Sequence, residues 1–114
     1  MADDPEKVRA DALDALQLAR KKLNSATFLY QLQDASAPER DRAGRAIVET
    51  ALAIQQLRNA RLEAIESEMA ANGDALVEAT SDLQDALGDL QKVEPILDGL
   101  TALLQIVGRV IAIV

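Results

Sequence analysis

Glu78, Asp82, Asp85 and Asp89 recur at steps of four, three and four residues. On a helix that spacing puts four carboxylates along one edge. A hard cation such as Ca²⁺ or Mg²⁺ takes oxygen ligands, but it needs them from several directions, backbone carbonyls included. A straight row does not provide this, and the row reads as a solvated face that sets register by ion pairing. Glu49, Glu63, Glu66 and Glu68 raise the question of a carboxylate-bridged di-metal bundle. That site requires Glu-x-x-His pairs, and the chain has no histidine. Ser25, Ser36, Ser67 and Ser81 likewise lack an imidazole base, and cysteine is absent. The five glycines, at 44, 73, 88, 99 and 108, are dispersed and form no phosphate-cradling loop. The expectation is therefore a non-enzymatic chain with no catalytic residues, cofactor or metal.

Arg20, Lys21 and Lys22 form the one basic cluster. They sit in a chain of net charge −7. Residues 73–114 carry two bases against seven acids. Duplex nucleic acid needs a basic footprint, which is missing, so no nucleic-acid partner is expected. The cluster reads first as a solvated face.

The elements that would position these groups are helices. Hydrophobic residues make up 49% of the 114-residue chain and aromatics only 2%. Ala and Leu carry most of the apolar surface, and no stretch alternates with the period of a strand. Three signals punctuate the chain. "DDPE" (Asp3–Glu6) and "SAPE" (Ser36–Glu39) each offer an N-cap, an early proline and a glutamate three residues on. "ANGD" (Ala71–Asp74) offers a left-handed closing turn at Asn72–Gly73 and a cap at Asp74. Between them the apolar stripes predict helices over about 4–34, 37–71 and 74–114. The fold class expected is all-α: an antiparallel up-down-up three-helix bundle with long helices, one domain over residues 1–114. Folding back from Asn72–Gly73 would place Arg58 and Arg61 near Asp85 and Asp89. Glu49 would lie level with the basic cluster.

The third pattern is the most regular. Leu76, Leu83, Leu90, Leu97, Leu104 and Ile111 recur every seven residues. Ala79, Ala86, Val93, Leu100, Val107 and Val114 follow three behind. Pro95 lies opposite this seam and should kink the helix or split it near Val93–Glu94. Beyond Pro95 the stripe widens, and the chain ends "LLQIVGRVIAIV". Two companion helices ordinarily cover a seam and one flank. Ile96, Leu103, Ile106, Val110, Ile113 and Val114 are thereby nominated as an interface, through which the chain forms a homo-oligomer or docks a helical protein partner. One alternative is burial of the run within the monomer's own bundle; another is a membrane-active or tail-anchored protein that inserts this helix into lipid. Asp98, Gln105 and Arg109 weigh against spanning, at about 2.5–3.5 kcal/mol for each mid-helix charge. The N-terminal residues have no apolar core of a signal peptide, so the expected compartment is the cytoplasm, with leaderless secretion leaving the same trace.

Overall fold

The computed structural model describes residues 4–111. Among these the chain forms six helices and no strand: α1 (Pro5–Leu23), α2 (Ala26–Gln33), α3 (Ala37–Asn59), α4 (Leu62–Ala71), α5 (Gly73–Ala86) and α6 (Val93–Ile111). The all-α class stands, but six helices replace the three expected. Each long helix read from the sequence breaks once.

The first break follows from local chemistry. Three cations end α1, where the carbonyls of the last turn favour positive charge. The Asn24 amide then donates to the Arg20 carbonyl at 2.7 Å. Ser25 caps α2, its Oγ accepting from the Phe28 N–H at 3.3 Å and donating to the Lys22 carbonyl at 2.6 Å. The second break, at Ala60, has no glycine or proline. Ala60 is extended (φ −66°, ψ 135°), and Arg9 Nη1 donates to its carbonyl at 2.8 Å. That bond satisfies one of the acceptors that a helix end leaves open. The third break lies between Ala86 and Val93. Of the two expected outcomes the helix is split and not kinked: α6 begins at Val93, two residues before Pro95. Pro95 occupies the first turn of α6, where the missing N–H has no helical partner to lose.

The expected caps hold in part. Ser36 Oγ accepts from the Glu39 N–H at 3.3 Å. Asp4 caps α1, accepting from the Glu6 N–H at 3.1 Å. Asn72 joins α4 to α5 without a left-handed residue (φ −108°, ψ 10°). Its amide donates to the Glu68 carbonyl at 2.8 Å, and α5 starts at Gly73, ahead of the predicted cap at Asp74.

The breaks change the architecture. α1, α3, α6 and α5 follow one another around a four-sided bundle, each packing chiefly on two of the others. Arg9 at the start of α1 meets Ala60 beyond the end of α3, so these two run antiparallel. Arg42 and Asp98, each near the start of its helix, bond at 2.7 Å, so α3 and α6 run in the same direction. α5 and α6 are antiparallel, with Gly99 against Leu83. α4 crosses one end from α3 to α5, touching α1 and α6 on its way, and α2 closes the other end against α1, α3 and α6. The molecule measures 44 × 25 × 19 Å. One contiguous core runs its length, from Phe28 at the α2 end through Leu16, Leu57 and Leu100 to Met69 under α4.

Candidate functional site

The nominated interface lies mostly inside this core. Ile96, Leu103 and Val110 are each 0% exposed. The correction has a clear cause. The premise of two companions fails because α3, α4 and α5 all pack on α6, with α2 closing its first turns. The stripe that faces inward is Val93, Ile96, Leu97, Leu100, Leu103, Val107 and Val110. The heptad residues Val93, Leu97, Leu100 and Val107 thus stay buried, while Leu104 and Ile111 lie at the edge, half-buried. Of the nominated six, Ile106 alone is described and partly exposed. Ile113 and Val114 lie outside the described residues.

Ile106 opens onto a furrow of about 510 Å³ between α5 and α6. Small residues make its floor: Ala79 and Ala86 from α5, Gly99 and Ala102 from α6. A Cβ built on Gly99 would come within 3.4 Å of the Leu83 Cα, so the two backbones approach closely there. Glu78 and Asp82 of α5 and Asp98 of α6 line the same furrow. Arg42 holds Asp98, whereas Glu78, Asp82 and Asp85 take part in no ion pair among the described residues. Arg58 and Arg61 do not reach this row. α3 and α5 stand diagonally across the bundle, Arg61 pairs with Glu63 at 3.6 Å, and Asp89 pairs with Lys92 at 3.9 Å. Three or more acidic side chains gather nowhere as a metal cage among the described residues.

A second groove, of about 630 Å³, lies on the opposite side of the bundle between α1 and α3. Arg20 and Lys21 line it from α1 and Arg58 from α3. Glu49 is not among its lining residues; it lines a separate depression with Arg45 and Val48. Sequence reasoning found Arg20 and Lys21 but not Arg58. No local signal links positions so far apart in sequence, and only the pairing of α1 with α3 brings them together.

Among the described residues no helix is long and apolar enough to cross a membrane. Compared with protein-family models, with curated proteins and with solved structures, the chain matches none.

Proposed function

We propose that the chain is a non-enzymatic helical interaction module that docks a basic amphipathic helix of a partner protein along α5 and α6. One observation carries the reading: a furrow with a small-residue floor and a half-open Ile106 is bordered by Glu78 and Asp82, which take part in no ion pair among the described residues. Small residues let a helix backbone come close, and the uncompensated acids select a partner whose flanks are Lys or Arg. Docking a partner is better supported than self-association through α6. Of the side chains that self-association would need, Ile96, Leu103 and Val110 are committed to the core, and a second copy brings the same negative charge. Insertion of α6 into lipid has no comparable support, since it would strip the core of Ile96, Leu100, Leu103, Val107 and Val110.

The test is a titration of ¹⁵N-labelled protein with a synthetic Leu/Lys amphipathic helix. Saturable shifts confined to residues 75–106, lost in a Glu78→Lys/Asp82→Lys variant that keeps its helical content, are expected. Absence of saturable binding, or binding that survives the charge reversal, would overturn the reading.

A further inference from the structure

The groove between α1 and α3 combines features that the rest of this acidic chain lacks. Three cations, Arg20, Lys21 and Arg58, line one depression, and no carboxylate is among its lining residues. None of the three takes part in an ion pair among the described residues. Surface cations in a chain of net charge −7 ordinarily find an acid. Here Arg40 and Arg42 meet acceptors, as in the Arg42–Asp98 bond and the Arg40 bond to the Ala35 carbonyl, while these three line one groove that no carboxylate shares. Side-chain amides of Gln17 and Gln55 supply further donors, and Ala51 and Ile54 give an apolar floor. The Asn24 amide covers the Arg20 carbonyl, so a backbone acceptor that would repel an anion is already occupied.

We infer that this groove binds a small organic phosphate or diphosphate. Guanidinium groups match phosphate oxygens in paired hydrogen bonds, and Lys21 adds a third positive charge. The aliphatic floor and the amides suit the part of such a molecule that is not phosphate. The groove's volume falls in the range of small-molecule sites, about 300–1,000 Å³. Neutralising three like charges at once also relieves their mutual repulsion, so a dianion or trianion is preferred over a monoanion.

The experiment is a titration of the full chain with inorganic pyrophosphate at low ionic strength. Calorimetry would run beside NMR of the backbone amides and arginine Nε groups. Saturable binding is expected, with shifts confined to residues 17–24 and 51–59. Arg20→Gln and Arg58→Gln should each weaken it about tenfold, the loss of one charge-assisted contact. Arg45→Gln, on the outer face of α3, should leave it unchanged. The Glu78→Lys/Asp82→Lys variant should still bind pyrophosphate, which separates this site from the docking furrow. If either groove variant fails to fold, the wild-type shift map decides alone. Shifts scattered over all cations, no saturation, or equal weakening in Arg45→Gln would overturn the inference.

Discussion

Thr50 and Arg9 show how differently polar side chains fare in this bundle. Thr50 is 0% exposed, and its Oγ1 has no hydrogen-bond partner. A buried hydroxyl without a partner carries an uncompensated desolvation cost, so Thr50→Val is expected to raise stability by about 1 kcal/mol in urea denaturation. Arg9 does the opposite work. Its bond to the Ala60 carbonyl closes the end of α3 and fixes where α4 departs. Arg9→Met keeps the aliphatic stem but should cost ~1–2 kcal/mol, read in the same denaturation series. Val110 distinguishes core from surface. Placing a carboxylate there buries a charge, and Val110→Asp should unfold the chain by circular dichroism, whereas Ile106→Asp should leave the helices in place. A Val110→Asp protein that kept its helical signal would contradict the burial of α6.

At the scale of elements, the starts of helices were more legible than their breaks. Ser36 and the Pro38 beside it announce α3, and Ser36 caps it as its sequence implies. The end of α1 was also written in the chain, as three cations followed by Asn24 and Ser25, but the apolar stripe running on past it masked the signal. The break at Ala60 left no comparable mark. The glycines of α6 divide in the same manner. Gly99 sits close to the backbone of α5, where a side chain larger than alanine would pry the helices apart. Nothing lies within 4 Å of a Cβ built on Gly108. Gly108→Ala should therefore stabilise the chain by about 1 kcal/mol through helix propensity alone, measurable as a higher Tm.

At the scale of the whole molecule, charge is sorted across the bundle. The α5–α6 side carries Glu78 and Asp82 without an ion pair among the described residues, and the opposite α1–α3 side carries three cations with no carboxylate in their groove. Repulsion within each face weakens as salt screens it, over a Debye length of about 10 Å at 0.1 M. Thermal stability should accordingly rise between 10 mM and 500 mM sodium chloride, and the Glu78→Lys/Asp82→Lys variant should show a smaller rise. By itself the sequence determined what is local: helical class from composition and period, the cap at Ser36, and the acidic and basic stretches as linear facts. The tertiary structure decided which face of each helix turns inward and which side chains meet. Heptad spacing fixes a stripe only relative to its own helix; which flank of it is also covered depends on the neighbours, and the helices packed on α6 bury Ile96, Leu103 and Val110 beside the seam residues Leu97, Leu100 and Val107. Arg58 came to line one groove with Arg20 and Lys21 for a related reason: contacts between helices depend on how the chain folds back, here where it returns through α2 to set α3 antiparallel to α1.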